Sequence, residues 1–158
     1  MTLIAQPDRK IPSRIYRVGL VPDIQDLAEE LALASPHFVL FLAMDATNVP
    51  SSSILRAARQ LIDRGLAYLC VWGPDCSRVH DCFDEERAED ETDDTVVMTT
   101  WHEDEPIDEA LWYFRNNAWP SDAFELTCTD WIAISVGNSP WEQQIREELF
   151  ERNEGFPP

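Results

Sequence analysis

The stretch HFVLFLAM, residues 37–44, decides the fold of this 158-residue chain because it is apolar at nearly every position. Strands of a parallel sheet are covered on both faces and read as continuous apolar runs, whereas half-exposed strands alternate apolar and polar residues. A second run of this kind, LAYLCVW, occupies residues 66–72. Residues 51–64, which lie between the two runs, have apolar side chains at helical spacing. The pattern therefore predicts a β-α-β unit.

The same alternation extends in both directions along the chain. Strands are predicted at 15–21, 37–44, 66–72, 95–101 and 130–136, and helices at 23–34, 51–64, 76–89, 107–117 and 139–152. This repeat predicts an α/β protein with one domain over residues 1–158, a three-layer α/β/α sandwich. We expect a mostly parallel five-stranded sheet in a flavodoxin-like or Rossmann-like layout. Residues 1–14 are expected to form a flexible N-terminal arm, and residues 153–158 a flexible tail.

Acidic residues dominate the charge of the chain and are concentrated in one segment. The formal net charge is −18, and residues 75–109 hold 15 acidic residues against two arginines. Such a surface repels the phosphates of nucleic acids and anionic membranes and attracts a basic partner. No apolar run reaches the roughly 20 residues of a membrane span, and the N-terminal residues lack a signal-peptide pattern. We expect a cytoplasmic protein, bacterial in view of its 11 arginines against one lysine.

Polar residues follow several predicted strands, at the edge where open parallel sheets usually bind ligands. The predicted candidate pocket at this edge consists of Asp45, Trp72, Asp75, Cys76, His80, Trp101, His102, Asn138 and Ser139. The alternative is that polar residues at this edge are only helix caps and turns. Ser139 and Glu142 have the spacing of a capping box, which favours that alternative for the last loop.

Asp45 ends an apolar strand, and its surroundings carry a family resemblance. The segment PHFVLFLAMDATNVPSSSILRAARQL, residues 36–61, resembles the phosphoacceptor segment of response-regulator receiver domains. Both have an apolar strand ending in Asp, a nearby proline and an amphipathic helix. The resemblance implies that Asp45 accepts a phosphoryl group, but Glu105 stands before Pro106 where receivers have lysine, and Asp23 has no acidic neighbour. We therefore expect Asp45 to be a cap or turn residue.

The stretch VWGPDCSRVHDCFDEE, residues 71–86, combines two cysteines, a histidine and five carboxylates. Cys76 and His80 are four residues apart and share a helix face, but no CxxC or HxxxH pair completes a zinc site. Cys76 near a helix N-terminus is alternatively a nucleophile, although the neighbouring carboxylates oppose its ionisation. We expect no metal and no cofactor here. The four thiols are expected to be free and mostly buried: Cys70, Cys76, Cys82 and Cys128.

Tryptophan is frequent, and three of the six tryptophans fall at corresponding places in the predicted elements. Trp72 and Trp101 end strands, and Trp141 opens the last helix. We expect these three indoles to cluster at one edge of the sheet. The cluster is interpreted either as the wall of a binding pocket or as a cap of large amphipathic rings over the core.

Two classes of function remain open at this point. The first is a non-catalytic interaction or regulatory module, of the inhibitor or immunity type, that docks a protein with a basic surface. The residues expected to contact that partner are Asp84, Glu85, Glu86, Glu89, Asp90 and Glu91. The second is a small-molecule sensor or an enzyme with a pocket at the carboxyl edge, where His102 beside Glu103 suits acid–base chemistry. The first is favoured because no catalytic motif is complete; homodimerisation is left open.

Overall fold

The structure is a computed structural model that describes residues 1–87 and 96–151. Its strands are β1 (Ile4–Pro7), β2 (Ile15–Val21), β3 (His37–Ala43), β4 (Leu66–Trp72), β5 (Met98–His102) and β6 (Cys128–Val136). Its α-helices are α1 (Ile24–Glu30), α2 (Ser51–Asp63), α3 (Cys76–Arg87), α4 (Ile107–Asn116) and α5 (Ser139–Arg146). A short 3-10 turn covers Asp122–Phe124, and a π-helical turn covers Glu147–Glu151. None of the helices in the described ranges is both long and apolar enough to cross a membrane.

All six strands form one sheet in the order β1-β2-β6-β3-β4-β5. Every neighbouring pair is parallel except β1 and β2, which are antiparallel. The mostly parallel sheet is confirmed, but the prediction of five strands is wrong. The extra strand, β1, belongs to the residues expected to form a flexible arm. Met1 and Leu3 pack against the core beside β2, and this burial keeps the N-terminal segment on the sheet.

Helices cover both faces of the sheet, as the prediction of a three-layer sandwich requires. One layer consists of α1, α2 and α3, which bury Ile24, Ile54 and Phe83 against the first face. The other consists of α4 and α5, which bury Phe114 and Ile145 against the second. Right-handed crossovers explain the placement of α1 to α4, because the chain moves one way from β2 to β5 and then returns to β6. Helix α5 follows the last strand and packs beside α4.

The strand order corrects the expected layout. The parallel strands run β2-β6-β3-β4-β5, whereas flavodoxin-like sheets have the order 2-1-3-4-5 and Rossmann sheets 3-2-1-4-5-6. The last strand, β6, enters between the first two parallel strands, where Trp131–Ser135 is buried on both sides. The edge position goes to β5, whose sequence MTTWH is more polar and mostly accessible.

The end of α1 and the capping residue of α5 differ from the predictions for local reasons. Helix α1 ends at Glu30 because Leu31 adopts an extended backbone and the next residues turn toward β6. Helix α5 is capped by Asn138, whose Oδ1 accepts a hydrogen bond from the backbone N–H of Trp141 at 2.9 Å, so Ser139 is the first helical residue and not the cap. The expected tail, residues 153–158, lies outside the described residues.

Candidate functional site

Three adjoining depressions surround the first turns of α4, at the carboxyl ends of β4 and β5. Their volumes are about 480, 450 and 350 Å³, within the range of small-ligand sites. The first shares Pro106 with the second and His102 with the third, so they form one continuous surface. We call this surface the acidic groove. Its walls are residues 72–75, residues 102–109, Trp112, Tyr113, Gln144, Glu147 and Glu148.

The charge of the acidic groove has one sign. Among the described residues that line it, eight are Asp or Glu and none is Lys or Arg. Among these carboxylates, Asp75 is paired with Arg78 at 2.8 Å. The eight carboxylates together give this concave surface a negative potential, which low-dielectric walls focus. The groove therefore favours cationic groups and repels anionic ones.

Tight turns at the strand ends shape the acidic groove. Gly73 has φ +122°, and Asp75 and Asp104 have φ of 63° and 59°. Aspartate is one of the few non-glycine residues that enter the left-handed region readily. The indole Nε1 of Trp72 donates a hydrogen bond to the carbonyl of Glu105 at 2.8 Å, which fastens the loop after β5 to the end of β4.

His102 is the centre of a hydrogen-bonded network in the acidic groove. Its Nδ1 lies 2.7 Å from Oε1 of Glu105, and its Nε2 lies 3.0 Å from Oγ1 of Thr100. The ring is buried and packs on Tyr113, with the ring centroids 4.8 Å apart. Burial lowers the pKa of His102 below its usual value, although Glu105 opposes this shift. A neutral ring donates from Nδ1 to the carboxylate and accepts from the hydroxyl of Thr100 at Nε2.

The protonation of His102 is expected to destabilise the folded protein. Its folded pKa is lowered, so its contribution to stability is present above about pH 6.5 and is lost as the pH falls through the folded value. An NMR titration of the His102 ring protons should give a midpoint below about 6.5. The Glu105→Gln variant should lower that midpoint further, since it removes the opposing charge. A midpoint above 6.5 in the unmodified protein would mean that Glu105 outweighs burial.

The predicted tryptophan cluster is confirmed for one pair and wrong for the third member. Trp72 and Trp141 meet edge to face, with ring centroids 4.9 Å apart. Trp101 lies on the opposite face of the sheet, where its ring packs on His80 of α3 at 4.4 Å. Successive residues of a strand point to opposite faces, and Trp101 is opposite Val71 in the β4–β5 register while His102 is opposite Trp72.

Three of the nine predicted pocket residues line the acidic groove: Trp72, Asp75 and His102. The other six lie elsewhere. Asp45 is exposed, and hydrogen bonds from the side chain of Thr47 and from its backbone N–H, the latter at 3.0 Å, lower the pKa of Asp45. It is the turn residue that the sequence analysis expected. Asn138 and Ser139 begin α5, as a cap and a first helical residue.

Cys76 is buried at the start of α3, which argues against the nucleophile hypothesis. Its side chain is inaccessible to solvent, and burial raises the pKa of the Cys76 thiol. All four cysteines are free and buried. His80 interacts with Asp81 and Asp84 and not with a cysteine. No group of three or more histidines, cysteines or acidic residues in the described parts of the chain is arranged to hold a metal ion.

Some of the acidic residues of α3 that are predicted to contact another protein already interact with residues of this chain. Asp84 accepts hydrogen bonds from Arg87 at 2.9 Å and from Thr99 at 2.5 Å, and Glu86 lies 3.9 Å from Arg59. Glu85 is exposed. The remaining three predicted contact residues, Glu89, Asp90 and Glu91, lie outside the described residues.

The α4 side of the acidic groove is not predicted from the sequence. Asp108 and Trp112 are four residues apart, as are Glu109 and Tyr113, so each pair shares one side of α4. Residues of both pairs line the 480 Å³ depression. The spacing was visible in IDEALWYF, residues 107–114, but without the strand order nothing indicated that this side of the helix lies beside the edge strand.

Comparison with known proteins finds one family. A family model described as a domain of unknown function, DUF7684, matches residues 17–152. No curated protein matches the chain. The matched range contains every residue of the acidic groove and extends from within β2 beyond the π-helical turn.

Proposed function

We propose that this chain, which belongs to the DUF7684 family of domains of unknown function, is a non-catalytic interaction module that binds a basic segment of a partner protein. The binding surface in this proposal is the acidic groove. The observation that carries the proposal is the charge of the groove: the lining residues within 1–87 and 96–151 include eight carboxylates and no Lys or Arg. Charge of one sign on a concave surface speeds association with an oppositely charged partner and selects against other partners.

The walls of the acidic groove suit arginine better than lysine. Trp72, Trp112 and Tyr113 are aromatic walls beside the carboxylates. A guanidinium group stacks on aromatic faces and donates two parallel hydrogen bonds to a carboxylate, whereas an ammonium group is a compact, strongly hydrated charge. Asp108 and Glu109 lie one helical turn from Trp112 and Tyr113, so one side of α4 presents both kinds of contact.

The groove is a better candidate for the docking surface than α3 alone. On α3, Asp84 and Glu86 already have cationic partners in this chain, and a partner protein would have to replace them. Glu85 is exposed and is free to add long-range attraction. In this proposal the acidic residues of segment 75–109 attract the partner protein, and the acidic groove binds side chains of that partner. Occupying a basic surface in this way is how an inhibitor or immunity-type protein would act.

A second candidate function is the binding of a small organic cation. The 480 Å³ depression has aromatic and carboxylate walls, and His102 with its hydrogen-bonded neighbours borders it. That combination suits an amine of metabolite size. The two candidates differ in their response to salt, since a peptide contacts many exposed charges and a small ligand few.

Neutralising the groove is expected to weaken binding of a fluorescently labelled arginine-rich peptide. The variant Asp108→Asn/Glu109→Gln should raise the dissociation constant about tenfold at low salt, or about 1.4 kcal/mol. The matched control Asp26→Asn/Glu29→Gln, on exposed positions of α1, removes the same charge from the other helical layer and should change the constant less than about twofold. Fluorescence anisotropy measures both constants.

Three outcomes of this experiment decide between the candidates. Equal weakening by the groove variant and the α1 control would mean that only total charge matters, and the docking proposal would be wrong. Weak peptide binding together with tight, salt-insensitive binding of benzylamine would favour the small-cation candidate. Selective weakening by the groove variant, with a steep loss of affinity between about 50 and 500 mM salt, supports the docking proposal.

A further inference from the structure

A second cavity lies at the opposite edge of the sheet, near the amino end of β6. Its volume is about 540 Å³. Residues from the loop before β2 and from the connection between α4 and β6 form its walls, and it shares no lining residue with the acidic groove. We call it the amino-end cavity. Nothing in the proposed function uses it.

Arg14 forms the inner wall of the amino-end cavity. It is 2% exposed, and its guanidinium carbon lies 4.0 Å from the ring centre of Trp131 and 4.7 Å from that of Trp119. Its Nη1 donates to the carbonyl of Arg115 at 2.6 Å and lies 3.5 Å from Asp8. These contacts hold the guanidinium at a defined place beside two indole rings, with its charge paired to the buried carboxylate of Asp8.

Two hydrogen-bond donors in this wall have no acceptor among the described residues. They are Nε of Arg14 and Nε1 of Trp131, whose side chains both line the cavity and are nearly fully buried. A buried donor without a partner destabilises the folded protein, so a ligand that supplies an acceptor here removes that cost. Trp119 lies over the guanidinium and is itself 53% exposed, so a ligand reaches the donors only if this indole moves aside.

The mouth of the amino-end cavity has the opposite charge. Asp122 and Glu125 line it and are exposed, while Phe124 and Leu126 add apolar surface, Leu126 being 93% exposed. An anion would be repelled at this mouth, and a cation would meet Arg14 inside. A molecule with an anionic end and a cationic end supplies acceptors to the inner donors and a counter-charge to the mouth.

We propose that the amino-end cavity binds a small zwitterion with an apolar side chain, namely a free amino acid. The carboxylate accepts from the Arg14 and Trp131 donors, the ammonium group faces Asp122 and Glu125, and the side chain packs on the apolar wall. The volume accommodates residues as large as phenylalanine. This site is independent of the acidic groove.

The test compares ligands that differ by one charge. Isothermal calorimetry should show that at least one of leucine, methionine and phenylalanine binds. If phenylalanine binds, it should bind at least about tenfold more tightly than phenethylamine, which lacks the carboxylate, and 3-phenylpropionate, which lacks the ammonium group. If leucine or methionine binds instead, isopentylamine and 4-methylpentanoate, or 3-(methylthio)propylamine and 4-(methylthio)butanoate, replace these two probes.

A rim variant supplies the second arm of the test. Asp122→Asn/Glu125→Gln should weaken amino-acid binding about tenfold and leave the carboxylate analogue unaffected or tighter. The groove variant Asp108→Asn/Glu109→Gln should bind the amino acid normally. Failure of all three amino acids to bind at about 10 mM overturns the proposal, as does equal binding of the amine analogue or an unchanged affinity in the rim variant. None of these results bears on peptide binding to the groove.

Discussion

Replacing Asp130 with alanine is expected to lower the free energy of unfolding by about 3–5 kcal/mol, the usual cost of removing one partner from a buried charge pair. Asp130 is fully buried on β6, where its Oδ1 accepts from Nε of Arg17 at 2.8 Å. Its Oδ2 accepts the backbone N–H groups of Ala34 and Ser35 at 2.7 and 3.0 Å. The alanine variant leaves a partly buried cation and two backbone donors without acceptors.

Asp63→Ala is the matched control for this prediction. Asp63 also pairs with an arginine, Arg59 at 3.2 Å, but it is 67% exposed. Exposed pairs of this kind contribute about 0–1 kcal/mol. Urea denaturation gives the free energy of unfolding of both variants from the midpoint and slope of the transition. A loss below about 1 kcal/mol for Asp130→Ala would show that solvent or a rearranged neighbour replaces the carboxylate.

Replacing Gly73 with alanine is expected to cost about 3 kcal/mol or more and to disturb the acidic groove. Gly73 has φ +122°, and an added Cβ would lie 2.1 Å from the carbonyl oxygen of Met44. A disfavoured backbone conformation costs of order 1–3 kcal/mol, and overpacking adds a similar amount. The turn cannot relax freely, because the carbonyls of Trp72 and Pro74 on either side accept backbone hydrogen bonds from Met44 and Ala46.

Gly137→Ala separates the steric clash from the backbone conformation. Gly137 also follows a strand and has φ +66°, but its Cβ would lie 3.4 Å from the nearest atom, the carbonyl oxygen of Pro22. Only the left-handed conformation is penalised, by roughly 1–2 kcal/mol. Urea denaturation compares the two variants, and peptide anisotropy reports whether the groove survives. Similar losses of unfolding free energy in Gly73→Ala and Gly137→Ala would mean that the close contact between the added Cβ and the Met44 carbonyl relaxes without cost.

The strands and helices are predicted from local sequence patterns, and the structure confirms which segments are strands and which are helices. The limits of β2 and β4 match the predicted ranges, and α2 differs by one residue. Each of these segments carries a period of apolar residues that does not depend on distant parts of the chain. The structure also confirms Asp45 as a turn residue, because an Asx turn involves only the next two residues.

Long-range placement is where the predictions were wrong. Nothing local in DWIAISV indicates that β6 enters between β2 and β3, and nothing local in IAQP at β1 indicates pairing with β2. The position of Trp101 depended on the register of β5, which places this side chain on the face of the sheet that α3 covers. The acidic groove depended on α4 lying beside an edge strand, so Asp108 and Glu109 could not be assigned to it in advance.

The sequence by itself determined the layered α/β architecture, the mostly parallel sheet, the buried thiols and the acidic character of the surface. Tertiary structure alone decided the strand order, the sixth strand, the groove and the burial of Arg14 between two indoles. The physical reason is the range of the forces involved. Periodicity and turn chemistry act over a few residues, whereas a concave surface exists only where segments far apart in the chain pack together.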